Sequence, residues 1–244
     1  MHNYDNKFPM NDKTHRKIIK QKIKEITLFR FILKLKQNIE SKLLQKKRFR
    51  NISKIRDFID NDTTIISSNC FAGRILQDLG MEYNTPTLGL YFMYPDYIHF
   101  LSNLEYYLKD AKIKFTDKSK YSIGNERRNS WSHWYPIGLL DNEIEIHFLH
   151  YHSEKEAAEK WYRRAKRVNF NKLIIIGMEQ NLCTLEDIQR FDKLPYKYKY
   201  IFTTKNLPNL MSNIYMEDFI KDQEVGDPYK KGHIFYKYLS EKLS

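Results

Sequence analysis

The chain has 244 residues, 41% apolar and 15% aromatic, with 8 Gly and 7 Pro. That length can bury a sizeable core, and the composition excludes a disordered or low-complexity protein. The net charge of +12 is local: residues 13–56 hold sixteen Lys and Arg against Glu25 and Glu40, while the remainder holds 26 basic and 28 acidic residues. A nucleic-acid-binding domain more often carries its basic surface on the folded body, so this distribution argues against that class.

Cys70 and Cys183 lie 113 positions apart. They form neither a disulfide framework nor a Cys-x-x-Cys metal pair, which suits a reducing compartment. The N-terminus lacks a signal-peptide pattern, and no apolar run approaches the roughly 20 residues that span a bilayer. The expected location is cytoplasmic.

Residues Met1 to about Lys13 are polar and expected to be disordered. Lys17 to about Arg50 contain no Gly or Pro, and Ile19, Ile23, Ile26, Phe29, Ile32 and Leu33 recur at helical spacing. This predicts a basic amphipathic helix, able to touch an anionic membrane surface through residues 17–50 or to pack on its own domain. The expected division is 1–55 for this leader and 56–244 for the folded body.

Within the body, Thr63–Ser68 reads as a strand and Phe71–Leu79 as a helix ending at Gly80. Thr87–Met93 reads as a second strand, followed by a helix from Pro95 carrying Ile98, Leu101, Leu104 and Leu108. Lys112–Thr116 suits a short strand, Tyr121–Tyr135 a loop and Glu143–Tyr151 a strand. Ser153 and Glu156 have the spacing of a capping box before a helix running to about Arg167. Leu173–Ile176 reads as a strand, Thr184 as the cap of a helix stopped by Pro195, and Tyr198–Thr204 as a further strand. Strands alternating with helices predict an α/β fold of three layers, with a largely parallel sheet between flanking helices, preceded by the basic N-terminal helix. Asp60-Asn61-Asp62 precedes its strand, which is the wrong end of a parallel sheet for a ligand, so it reads as a turn.

Several stretches together resemble a bacterial family labelled exopolysaccharide biosynthesis proteins. They are IISSNCFAGRILQDLG (Ile65 to Gly80), MEYNTPTLGLYF (Met81 to Phe92), PDYIHFLSNLEYYL (Pro95 to Leu108), YPIGLLDNEIEIHFLHYHSEKEAAEKWYRRAKRVNFNKL (Tyr135 to Leu173) and FDKLPYKYKYIFT (Phe191 to Thr203). That family usually shows two glycines after the Asn-Cys pair; here Ala72 replaces the first. The resemblance implies a role in building surface polysaccharide. The Asn69-Cys70 turn also resembles that of capsule-building acetyltransferases, which implies acyl-coenzyme A as donor and a Cys–His pair as machinery.

At the residue level, Cys70 stands where a strand turns into a helix. A thiol there feels the positive end of the helix dipole, which favours the thiolate nucleophile. Asn69 could donate to a developing oxyanion. Strand alternation puts Glu145 and His147 on one face, suiting an orienting carboxylate and a general base, and puts His150 and His152 on the other. That split argues against a shared metal, and none is expected. Arg74, one turn after Cys70, suits an anion. Asp96, Trp131, Trp134 and His150 are the remaining candidates for substrate contact, and Arg163, Arg164, Lys166 and Arg167 could hold a phosphate or diphosphate.

The leading expectation is a transferase of exopolysaccharide or capsule synthesis acting by Cys–His acyl transfer on a saccharide. One rival is a nucleotide-sugar glycosyltransferase with Asp96 or Glu145 as base. The other is a membrane-recruited scaffold without catalysis.

Overall fold

The computed structural model describes residues 12–222 and 224–243, with side chains from residue 20 onward except 221 and 222. The expected disordered start falls almost wholly outside the described residues, as does the Ile19 side chain. The chain divides into two units, residues 1–47 and 48–244. One long helix, α1 (Asp12–Ile55), contributes to both.

In the first unit, α1 is basic as expected, but its apolar residues do not form a single face. At 3.6 residues per turn, Leu28, Phe31 and Leu35 project opposite to Ile26, Leu33 and Leu44, and all are exposed within the unit.

The second unit is built around a parallel sheet of β1 (Thr64–Ser67), β5 (Leu173–Met178), β6 (Tyr198–Thr203) and β7 (Asn213–Tyr215), in the order β1-β5-β6-β7. All three pairings are parallel. Alternation along the strands sends consecutive apolar residues into two different cores. Ile66, Ile175 and Ile201 face α3 (Tyr94–Ser102), α6 (Glu154–Ala165) and α7 (Leu185–Asp192). Ile65, Ile176 and Phe202 face α2 (Phe71–Leu79), α8 (Gly232–Leu243) and the last turns of α1, where Ile52 and Ile55 are buried. Each fully buried side chain of this size stabilises by about 1.5–3 kcal/mol relative to exposure. This is the three-layer α/β arrangement expected from the sequence.

A second, antiparallel sheet joins β2 (Ile113–Thr116), β3 (Ile137–Leu140) and β4 (Ile144–His147). Asp141 and Asn142, both at positive φ, make the tight turn between β3 and β4. Asx side chains tolerate that region better than most.

Four local expectations are corrected. The strand read over Glu143–Tyr151 ends at His147, so His150 and His152 lie beyond it and share no strand face. Thr87–Met93 is not a strand: Gly89 at φ 70° interrupts it, and only Tyr91 pairs, in a bridge to His147. The segment from Tyr121 is not a loop throughout, because α5 (Ser122–Ser130) occupies most of it. The helix from Pro95 is two helices, α3 and α4 (Leu104–Lys109), broken at Asn103.

Candidate functional site

A cavity of about 580 Å³ lies over the carboxyl ends of β1 and β5, where open parallel sheets bind ligands. Asn69 and Cys70 follow β1, and Gln180 and Asn181 follow β5. Four aromatic side chains, Tyr91, Trp131, Tyr135 and Tyr229, form its walls. Tyr91 and Tyr135 are buried at the back, and Trp131 and Tyr229 are exposed by about 40% at the rim (42% and 39%). His150, Asp227 and Arg127 supply the ionisable groups other than the thiol and the tyrosines.

The Ser67-Ser68-Asn69-Cys70 turn is held by its own side chains. The Ser67 hydroxyl donates to Asn69 O and accepts from the Ala72 N–H. Asn69 Oδ1 accepts from the Phe71 N–H at 3.0 Å, satisfying one of the orphan donors at the start of α2. The Asn69 amide nitrogen donates to Met178 Sδ and Gln180 Oε1, both at 3.0 Å. The group expected to serve an oxyanion therefore spends its donors on tying β1 to the loop after β5.

Cys70 is buried, with Sγ donating to Leu90 O at 3.4 Å. Burial, aided by the Asp227 charge, pushes the thiol up to about 12. The dipole of α2 acts in the opposite direction. It is outweighed because the thiol is desolvated against the wall of the cavity.

Glu145 and His147 share one face of β4, as alternation predicts, and are joined by an Nε2···Oε1 hydrogen bond of 2.7 Å. Both are completely buried. Ser119 Oγ also donates to Glu145, and the Lys120 N–H donates at 2.7 Å. Burial alone would raise the Glu145 carboxyl, but the hydrogen bonds from His147, Ser119 and the Lys120 N–H outweigh it and hold the pKa below its ordinary value. The other ring nitrogen of His147 lies 3.4 Å from the Tyr135 hydroxyl, and the Tyr91 ring stacks on the imidazole at 4.4 Å. His147 thus supports two aromatic walls from behind. Its ring nitrogens are turned to Glu145 and Tyr135, so it makes no hydrogen bond to Cys70, and the expected Cys–His pair does not form.

The histidine on the cavity is His150, which comes just after β4 ends. Its packed surroundings, and secondarily the nearby His133, lower its pKa, so the neutral base form prevails at neutral pH. Asp96 does not reach the cavity. Its carboxylate accepts from Lys120 Nζ at 2.7 Å and from the Glu145 N–H at 3.0 Å, while burial raises its pKa despite those bonds. Trp131 lines the cavity; Trp134 does not, and instead lies under the Arg128 guanidinium at 5.3 Å. Arg74 lines a neighbouring cavity.

Sequence reasoning missed Tyr91, Arg127, Gln180, Asn181, Asp227 and Tyr229 as wall residues. Gln180-Asn181 carried a usable signal, since polar residues directly after a parallel strand occupy the ligand end of the sheet. Asn181 also fixes Arg127: its Oδ1 accepts from Arg127 Nη1, and its amide nitrogen donates to Phe92 O at 3.2 Å. Among the described residues, no three His, Cys, Asp or Glu side chains cluster to hold a metal ion. Nor is any described helix long and apolar enough to cross a membrane.

Residues 40–242 match a family described as a domain of unknown function, DUF1919. An uncharacterized protein of Haemophilus influenzae is similar to the chain, 36% identical over 195 residues that cover 80% of this chain and 87% of that protein. The matched family region contains every wall residue of the cavity.

Proposed function

The chain belongs to the DUF1919 family, and we propose that it is a transferase of surface-polysaccharide assembly that binds a saccharide in the cavity over β1 and β5. One observation carries this reading: four aromatic rings surround a space of about 580 Å³ at the ligand end of the parallel sheet. Sugar rings stack their C–H faces on aromatics, and His150 and Asp227 on the same wall offer acceptors for their hydroxyls. The polysaccharide setting comes from the resemblance of the segments between Ile65 and Thr203.

The cavity favours direct transfer to a sugar hydroxyl over a covalent acyl-enzyme. A thiol raised to about 12 is a poor nucleophile at neutral pH, and its expected base faces elsewhere. His150, neutral and on the wall, is suited to accept the proton of an attacking hydroxyl. Asp96 and Glu145, the bases considered from sequence, are bonded away from the cavity.

The test is calorimetric titration of the full chain with glucose, uridine diphosphate glucose and acetyl-coenzyme A. Saccharide binding that Trp131→Ala or Tyr229→Ala weakens at least about tenfold is expected, a loss of roughly 1.4 kcal/mol. Binding of acetyl-coenzyme A without any saccharide response would overturn the reading in favour of acyl transfer.

A further inference from the structure

Beside the saccharide cavity runs a groove lined by three cations and no carboxylate, and we propose that it holds the diphosphate of an activated sugar donor. The sugar end of this ligand rests on the saccharide reading above, whereas its anionic end rests on separate residues.

A cavity of about 480 Å³ shares His150 and Tyr229 with the saccharide cavity. Arg74 from α2 and Lys160 and Arg164 from α6 line it, and no carboxylate does. A further cavity of about 500 Å³ shares Gln77, Tyr83 and Arg164 and adds Arg163 and Arg167, with Glu82 its one acidic residue. Arg164 therefore stands between two adjoining cation-lined spaces. That arrangement matches two linked phosphates better than one.

The cations are held in place. Arg164 Nη1 donates to the Tyr151 hydroxyl at 2.6 Å, and that hydroxyl donates to Leu88 O at 2.6 Å. A guanidinium has five N–H donors, so the rest of the Arg164 fork is left for a ligand. On α2, Arg74 is anchored by Asp78 Oδ2 at 3.3 Å and lies over the Tyr229 ring at 5.3 Å. Asp78 is outside the groove lining and also pairs with Arg48, so it neutralises Arg74 only in part. Lys160 pairs with Glu156, which is likewise outside the lining. A concave surface of one sign concentrates its own field, and an anion completes it.

Two donor chemistries share this diphosphate: a nucleoside diphosphate sugar and a lipid-linked diphosphate. Isothermal titration of the full chain uses inorganic phosphate and inorganic diphosphate first, then uridine diphosphate glucose and farnesyl diphosphate. Diphosphate is expected to bind at least about tenfold more tightly than phosphate, because two sets of charge-assisted bonds form. Arg164→Gln should weaken diphosphate about tenfold or more. Arg163→Gln/Arg167→Gln, at exposed positions, should weaken it severalfold with an unchanged thermal midpoint. Trp131→Ala should leave diphosphate affinity unchanged while weakening the uridine ligand. Stronger binding of the uridine ligand than of bare diphosphate assigns the nucleotide source, and stronger binding of farnesyl diphosphate assigns the lipid source. Absent diphosphate binding, equal affinity for phosphate and diphosphate, or undiminished binding by the charge variants would overturn the groove. If diphosphate binds as expected but the Trp131 variant leaves every ligand unaffected, the saccharide reading fails and the groove stands.

Discussion

At the scale of single residues, desolvation decides what Cys70 can do. With its pKa near 12, about one thiol in ten thousand is ionised at pH 8, against roughly a quarter for a free cysteine. Cys183 is shifted in the same direction, chiefly by burial. Ellman's reagent is therefore expected to react with the native chain at pH 8 at least about a hundredfold more slowly than with free cysteine. Both thiols should be released when the chain is unfolded in guanidinium. A native cysteine labelled at the free rate would restore the nucleophile reading. Glu145 makes a different kind of prediction. Its folded pKa is held below its ordinary 4.5, so its contribution is present above that value and fades as pH falls through the lower folded pKa. Glu145→Ala should cost about 3–5 kcal/mol at pH 7, because it strips partners from buried His147, Ser119 and the Lys120 N–H. Urea unfolding of both chains should show that gap closing below pH 4.5. Asp96 is shifted upward instead, chiefly by burial and least by the Glu145 charge, so most of its pH dependence is shared by both chains. The Glu145–His147 pair was legible because alternation along a strand is rigid. The cavity histidine was harder to choose, since β4 ends at His147 and the pleat places nothing beyond it.

At the scale of elements, sequence and structure agree where a local signal is strong. The helix Phe71–Leu79 ends at Gly80, whose φ of 67° is the left-handed cap that glycine supplies. Thr184 begins α7 with a reciprocal capping box. Its hydroxyl accepts from the Asp187 N–H at 3.1 Å, and the Asp187 carboxylate accepts from the Thr184 N–H at 3.1 Å. Thr184→Ala should cost about 1 kcal/mol, read as a lowered urea midpoint with unchanged slope. A loss under about 0.3 kcal/mol would show that tertiary packing, and not the cap, fixes this helix. Ser153 follows the expected pattern only in half. Its hydroxyl accepts from the Glu156 N–H, but Glu156 takes the N–H of His152 and not of Ser153. Helix α5 was not legible because of its nine residues only Gly124 is buried, so no apolar period exists to be read. Hydrogen bonds to the preceding turn fix its start instead: the Asn125 amide clasps the backbone of Ser119, six residues earlier, at 2.9 and 2.8 Å. Strand β7 escaped notice for a related reason, as three residues are too few for alternation to show.

At the scale of the whole molecule, charge and exposed apolar surface are concentrated in the first unit. Residues 20–47 carry nine Lys and Arg against Glu25 and Glu40. Ile23, Ile26, Phe29 and Ile32 in the same stretch are all more than half exposed within their unit. Each cation near an anionic leaflet contributes about 1 kcal/mol, so attraction to such a surface should be strong at low ionic strength. Because the apolar residues occupy opposite sides of the helix, only part of them can enter one interface. Binding is then carried mainly by charge. The full chain should co-sediment with vesicles containing phosphatidylserine in 50 mM salt and be released by 0.5 M salt, where the screening length falls from over 10 Å to about 4 Å. It should ignore vesicles of phosphatidylcholine alone. A chain beginning at Arg48 should lose this binding, yet unfold cooperatively and keep its affinity for diphosphate, because residues 48–244 contain both cores and every residue of the groove. Equal sedimentation with neutral vesicles would assign the apolar residues, and not the charge, as the source of attraction. Unchanged sedimentation after the cut would place the membrane contact on the body itself.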